Sequence, residues 1–123
     1  MSDSSGDAEI PTVSCFLVLL VPGPNIQAGA EHFAAHVAFI ETMEASNVVL
    51  LGGEFEATVE GAEAAYLLHV ASSAEAESWA RKDPLVKYGV YRSRIVKWNL
   101  VGIARNAIAP AFDSQVAAPA RGG

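Results

Sequence analysis

The chain of 123 residues has little positive charge and a single cysteine. Eight lysines and arginines stand against 14 aspartates and glutamates, which gives a formal net charge of -6. Nucleic-acid binding and attraction to an anionic membrane surface both need a basic footprint, so the sequence disfavours both. One cysteine excludes an internal disulfide. Cys15 lies in an apolar strand pattern, where we expect it to pack as a small hydrophobe, and a reactive thiol is the minor alternative.

Long apolar runs are also missing. No run approaches the roughly 20 residues that a membrane-spanning helix requires. The first residues, MSDSSGDAE, are acidic where a secretory signal would be basic. We therefore expect a cytoplasmic protein without a membrane partner. The chain has instead 51% hydrophobic residues, which at this length predicts one domain with its own core.

Hydrophobic patterning predicts four strands and two helices. Residues 13–21 are apolar on both alternating faces, as in a central strand that is covered on both sides. Ser72 and Glu75 form a capping-box pattern at the start of the second helix, and Asn47 is expected to end the first. The predicted elements are strand 13–21, helix 27–46, strand 48–51, a hairpin or loop connection at 54–63, strand 64–71, helix 72–82, a connection at 85–89 and strand 91–101.

The order of these elements predicts an α+β, ferredoxin-like βαββαβ fold. It has an antiparallel four-stranded sheet with two helices on one face. Because the first strand is apolar on both faces, the other sheet face would expose a large apolar patch. We therefore predict a homodimer joined through the sheets, that is, a dimeric α/β barrel. Residues 1–11 and 105–123 lack periodicity, so we predict a disordered lead-in and a flexible tail, or an arm over a partner subunit, around a domain at 12–104.

His36 and Asp83 are the candidate catalytic residues. His36 shares the apolar stripe of the first helix with Phe33, so we expect its ring to face the core. Asp83 follows two cations at the end of the second helix, where a carboxylate opposes the helix dipole unless it finds a partner. The two residues differ in height along their helices by only about 3 to 5 Å, so they could meet.

The sequence around these residues resembles the YCII-related family of small dimeric α/β barrel proteins. His36 is followed by VVLLGG, and DPLVKYGV, which begins at Asp83, leads to the strand that contains Trp98. The similarity covers roughly residues 14–101. It implies a ferredoxin-like dimer in which the helix histidine and the aspartate of the Asp-Pro motif form a dyad in a pocket. Some members look like lyases that remove a small group from a ring substrate, such as dehydrochlorinases of hydroxylated aromatics.

One residue departs from the family pattern. Glu54 follows the two glycines, where family members often carry proline or an apolar residue. This departure concerns the rim of the pocket, and so the substrate.

Together, the residues and the resemblance predict a cofactor-independent small-molecule enzyme, a lyase or isomerase. In this hypothesis His36 abstracts a proton from a cyclic or phenolic substrate, and Asp83 orients the ring and stabilises the imidazolium. The candidate substrate-binding residues are Phe33, Gly53, Tyr88 and Arg92, of which Arg92 could hold an anionic group. Two alternatives are a cofactor-free monooxygenase of the dimeric α/β barrel type and a non-catalytic small-molecule-binding or scaffold module.

Two further patterns are weaker. His32 and His36 are four residues apart, a spacing that can hold zinc, but the further ligand motif of metalloenzymes is missing, so we predict no metal site. Gly52 and Gly53 are not followed by a helix or a lysine and therefore do not form a phosphate loop. We expect them to allow a close backbone approach or an unusual turn.

Overall fold

The computed structural model describes residues 13–102, which form a four-stranded antiparallel sheet with the helices on one face. In chain order the elements are β1 (Val13–Pro22), a 3-10 turn (Ile26–Ala28), α1 (Gly29–Ala45), β2 (Val49–Val59), β3 (Ala62–Leu68), α2 (Ser73–Lys82), α3 (Pro84–Lys87) and β4 (Tyr91–Leu100). The predicted ferredoxin-like order is confirmed, with one short helix added after α2.

β1 lies inside the sheet, whose strand order is β2-β3-β1-β4. It pairs with β3 along one edge and, over its whole length, with β4 along the other. Its side chains are buried on both faces, with Phe16, Val18 and Leu20 on one face and Cys15 and Leu19 on the other, and a strand that is buried on both faces can be apolar on both. This position explains the continuous apolar pattern of residues 13–21.

The core lies between the sheet and the helices. Phe16, Val18 and Leu20 alternate along β1 on the helix side, and all three are almost fully buried. They belong to one cluster with Met43 of α1 and Leu68 of β3. Full burial of such a side chain stabilises the fold by about 1.5–3 kcal/mol relative to exposure. This cluster therefore fixes α1 over the sheet.

The helix ends follow the predicted signals. Asn47 adopts a φ of 62°, the left-handed conformation that ends α1. Ser72 Oγ accepts a hydrogen bond from the Glu75 backbone N–H at 3.1 Å, and Glu75 Oε1 accepts one from the Ala71 N–H at 3.2 Å. The predicted cap of α2 is confirmed.

Two segments differ from the prediction. β2 continues to Val59, so most of the predicted connection at 54–63 is strand, and its turn is confined to Glu60 and Gly61, with φ of 50° and 84°. Such a pair of positive φ angles suits a two-residue hairpin turn. β2 is an edge strand, and most of its side chains are exposed. Its sequence therefore lacks the apolar alternation from which a strand can be predicted.

The second difference is α3, which begins at Pro84 and covers the first part of the predicted connection at 85–89. Its four residues are too few to show helical periodicity. The segments predicted as flexible, 1–11 and 105–123, lie outside the described residues, as do the ends of the predicted domain at 12 and 104. Within residues 13–102, no helix is both long enough and apolar enough to span a membrane.

The sheet face away from the helices carries exposed apolar side chains. Leu51, Val96 and Trp98 are 48%, 41% and 49% exposed. Strand pairing places Leu51 and Val96 in register with Leu67 and Leu17 on this face, and alternation along β4 adds Trp98. The predicted homodimer would use this surface and stays a prediction.

Candidate active site

His36 lies near the middle of α1, and its side chain is 15% exposed. Its Nδ1 atom is 2.8 Å from Oδ1 of Asp83. The structure thus brings together the two residues predicted as catalytic. Phe33, which the helical pattern placed in the same core-facing stripe, is instead 51% exposed, because it lies beside a cleft and not over the sheet core.

Asp83 is fully buried at the junction of α2 and α3. It ends α2 and is the N-cap of α3, where its Oδ1 accepts a hydrogen bond from the Leu85 backbone N–H at 2.9 Å. Pro84 occupies the first position of α3, where its missing N–H costs nothing. The carboxylate that opposes the end of α2 therefore finds donors in the next helix and in His36.

Tyr66 of β3 is a third member of this group, which sequence reasoning missed. Its hydroxyl donates to Asp83 Oδ2 at 3.0 Å, and the residue is 3% exposed. Burial, and then the charge of Asp83 and the hydrogen bond to it, raise the pKa of Tyr66 well above its ordinary value. The hydroxyl therefore remains a donor. The available signal was the place of Tyr66 in the predicted strand 64–71, because the hydroxyl of a tyrosine that a strand buries usually needs a partner.

The hydrogen bonds to Asp83 determine which nitrogen of His36 can act as a base. An ionised carboxylate only accepts hydrogen bonds, so Nδ1 of His36 must carry the proton that it shares with Asp83. In a neutral ring the lone pair then lies on Nε2. Nε2 has no hydrogen-bond partner among residues 13–102, and the His36 ring lines the cleft. The arrangement leaves one nitrogen available to a bound molecule.

The cleft has a volume of about 800 Å³ and lies between α1 and the strands β2 and β3. Tyr66 and His36 contribute to its wall, as do Phe33 and Gly53, two of the four predicted substrate-binding residues. A space of this size suits a small molecule, since ligand pockets commonly span about 300–1,000 Å³.

The two glycines of β2 have different roles. A Cβ atom on Gly52 would lie 2.8 Å from the Cβ of Tyr66 and 3.1 Å from the carbonyl oxygen of Ala65. Gly52 therefore allows β2 to approach Tyr66 closely, as predicted. A Cβ atom on Gly53 would meet nothing within 4 Å, so Gly53 borders open space and the predicted close backbone approach does not apply to it.

The remaining charged lining is acidic. Five glutamates line the cleft, namely Glu41, Glu44, Glu54, Glu56 and Glu63. None of the lysines and arginines among residues 13–102 does so. Tyr91 also lines the cleft, and its hydroxyl donates to Glu63 Oε1 at 2.7 Å. Burial, and then the hydrogen bond and charge of Glu63 and the charge of Glu54, raise the pKa of Tyr91 to about 12.

The other two predicted substrate-binding residues, Tyr88 and Arg92, do not line this cleft. Tyr88 is 48% exposed, and its ring stacks on His32 at a centroid distance of 4.3 Å. Arg92 is opposite Val21 on the sheet face away from the helices. The structure therefore does not bring either residue to His36. In the described part of the chain, no group of three or more His, Cys, Asp or Glu side chains could hold a metal ion.

Comparisons with known proteins show which family and fold the chain resembles. The model of the YCII-related domain matches residues 15–99. No curated protein matches the chain. Among solved structures, the chain is similar to a 5-chloro-2-hydroxyhydroquinone dehydrochlorinase from Burkholderia phenoliruptrix, determined in complex with 2,5-dihydroxybenzoquinone. The identity is 23% and the TM-score 0.55, over 68% of this chain and 92% of that chain, which shows a shared fold.

Proposed function

Since the chain belongs to the YCII-related family, we propose that it is a small-molecule enzyme in which His36 is the general base and Asp83 positions it. The observation that carries the proposal is the 2.8 Å contact between His36 Nδ1 and Asp83 Oδ1 beside a cleft of about 800 Å³. A histidine that is held by a buried carboxylate keeps one nitrogen for proton transfer.

The proposed reaction is an elimination or an isomerisation that begins with removal of a proton from carbon. His36 Nε2 takes the proton, and the electron pair of the C–H bond forms a new C=C bond. In a lyase, the leaving group departs from the adjacent carbon with the electrons of its own bond. In an isomerase, an adjacent C=C or C=O bond opens instead and takes up its own electron pair, and His36 returns the proton to the far atom of that bond. Neither course needs a cofactor, because His36 accepts the proton and Asp83 stabilises the imidazolium.

The dehydrochlorinase with the same fold supports the choice of reaction class. Removal of hydrogen and chloride from a ring compound is an elimination of this kind. Family membership, the shared fold and the His36–Asp83 contact together favour proton abstraction over covalent catalysis. Cys15, whose thiol could act as a nucleophile, is buried, and burial raises its pKa.

Proton exchange in D₂O tests this function whatever the leaving group is. The protein is incubated with a panel of cyclic ketones and hydroxylated aromatics, and loss of C–H signals is followed by proton NMR. We expect exchange with the wild type and a decrease of about 10²- to 10⁴-fold for His36→Gln, the usual contribution of a general base. Asp83→Asn should cost less, because it keeps the size and one hydrogen bond but loses the charge.

The matched control is His32→Gln, which changes the histidine one helical turn earlier. His32 does not line the cleft, so this variant should exchange protons at the wild-type rate. Equal rates for wild type and His36→Gln, or no exchange by the wild type with any compound, would disprove the proposed role. Oxygen uptake in the same mixture would indicate the cofactor-free monooxygenase instead.

A further inference from the structure

The side chains around the cleft carry one sign of charge. The five glutamates come from three elements: Glu41 and Glu44 from α1, Glu54 and Glu56 from β2, and Glu63 from β3. The basic residues of the described chain lie elsewhere. Arg81 pairs with Glu77 at 3.9 Å and Arg94 with Glu60 at 3.5 Å, both outside the cleft lining. A bound anion would therefore face several carboxylates and no lysine or arginine from residues 13–102.

The raised pKa of Tyr91 indicates how the side chains of the cleft affect a negative charge. Its hydroxyl is inside the cleft lining and donates to Glu63. Burial, the hydrogen bond to Glu63 and the charges of Glu63 and Glu54 all disfavour the phenolate form, which is why the pKa of Tyr91 rises to about 12. A carboxylate or phenolate substrate in the same place would meet the burial and charge penalties. A cation would be attracted by the same charges.

Aromatic rings supply the second part of the cleft's chemistry. Phe33, Phe55, Tyr66 and Tyr91 all line it, beside the aliphatic side chains of Val37 and Ile40. Aromatic faces attract cations as well as apolar groups. Carboxylates around an aromatic and aliphatic wall therefore match a molecule that has an apolar body and a positive charge.

We propose that the cleft selects a cationic small molecule, such as a ring compound with a protonated amine, in preference to an organic acid. This inference rests on the proposed function, in that it takes the cleft beside His36 as the substrate site. It also fits the proposed proton abstraction. A positive group near the reacting carbon offsets the negative charge that develops when His36 removes the proton.

Binding of three compounds of similar shape tests the charge preference. Benzylamine, which is protonated at neutral pH, benzyl alcohol and benzoate are titrated into ¹⁵N-labelled protein, and the amide shifts of Gly52 and Gly53 are followed. Exposed carboxylates each contribute a modest attraction. We therefore expect benzylamine to bind on the order of tenfold more tightly than benzyl alcohol, and benzoate to bind most weakly. Added salt should weaken the binding of benzylamine alone.

A pair of glutamate variants separates the cleft from the overall charge of the protein. Glu54→Gln should weaken benzylamine binding about 2- to 5-fold and leave benzyl alcohol unchanged. Glu77→Gln alters the net charge equally but lies on α2 outside the cleft, so it should change neither affinity. Tighter binding of benzoate, no binding of benzylamine, or equal effects of the two variants would overturn the inference.

The two proposals can fail separately. Binding of benzylamine does not depend on proton transfer and should persist in His36→Gln. If the charge preference is found but proton exchange does not depend on His36, the proposed reaction fails and the charge preference stands. If exchange depends on His36 but benzoate binds best, the proposed reaction stands and the charge preference fails.

Discussion

Asp83 accepts hydrogen bonds from three separate elements at once. Oδ1 accepts hydrogen bonds from His36 Nδ1–H and the Leu85 backbone N–H, and Oδ2 accepts one from the Tyr66 hydroxyl. A carboxylate whose two oxygens are both engaged cannot rotate without losing a hydrogen bond, and a lost partner inside the protein costs about 1–3 kcal/mol or more. The orientation of the His36 ring therefore depends on α3 and β3 as well as on α1.

Tyr66→Phe tests this dependence. The substitution keeps the ring but removes the donor to Asp83 Oδ2, which leaves a buried carboxylate oxygen without that partner. We expect a loss of about 1–3 kcal/mol in the free energy of unfolding, measured by urea denaturation at one fixed protein concentration. We also expect the NMR signal of the His36 Nδ1 proton to broaden or shift, because the carboxylate that holds it is less constrained.

Tyr91→Phe is the matched control. It removes a hydroxyl of the same cleft that bonds to Glu63, not to Asp83, and Tyr91 is only half-buried. It should cost less stability and leave the His36 signal unchanged. If the two variants shift the His36 signal equally, Tyr66 has no special role in positioning Asp83.

Among the helices and strands, the sequence predicts those parts of the site that lie in segments with a clear apolar period or a clear helix-end signal. The stripe of α1 and the unfavourable position of Asp83 at the end of α2 indicated that His36 and Asp83 could meet, and the resemblance to the YCII-related family implied that they form a dyad. The place of Tyr66 in a predicted strand indicated a hydroxyl that needs a partner, but it did not identify Asp83 as that partner, because this depends on the register between β3 and β1, where Tyr66 lies opposite Val18. The length of β2 was missed for a related reason, since its exposed side chains carry no apolar period.

The close approach of β2 to β3 gives the next prediction. In Gly52→Ala, the new Cβ would lie 2.8 Å from the Cβ of Tyr66, so the strands must separate or Tyr66 must move. Overpacking of this kind typically costs about 1–3 kcal/mol. In a domain of this size each kcal/mol lowers the Tm by about 4–8 °C. Thermal unfolding followed by circular dichroism measures the change.

Gly53→Ala provides the neighbouring control. Its added Cβ meets no atom within 4 Å, and Gly53 has no positive φ that alanine would find strained. We expect a Tm close to that of the wild type or slightly above it, because alanine loses less backbone entropy than glycine on folding. A Gly52→Ala variant that is as stable as Gly53→Ala would show that the contact between Gly52 and Tyr66 is not tight.

At the scale of the whole molecule, the two faces of the sheet differ in what covers them. The helix side is filled by the core cluster around Phe16, Val18 and Leu20. On the other side, Trp98 and Val96 are about half exposed. Arg92 and Arg94 lie on the same face, toward the start of β4. Exposed apolar side chains that lie together on a sheet face are typical of a surface that binds another protein.

The last prediction is that this sheet face joins two copies of the chain. Association would remove Leu51, Val96 and Trp98 from water, and burial of a large apolar side chain contributes about 1.5–3 kcal/mol. Light scattering of the wild type at micromolar concentration should therefore give twice the mass of one chain. Trp98→Glu places a charge in the proposed interface, where an unpaired carboxylate is costly, and should give the mass of one chain. Tyr88→Glu changes an aromatic residue of nearly equal exposure, 48% against 49%, that lies outside this face, and should remain a dimer. A monomeric wild type, or a Trp98→Glu variant that stays dimeric, would show that the sheets do not form the interface.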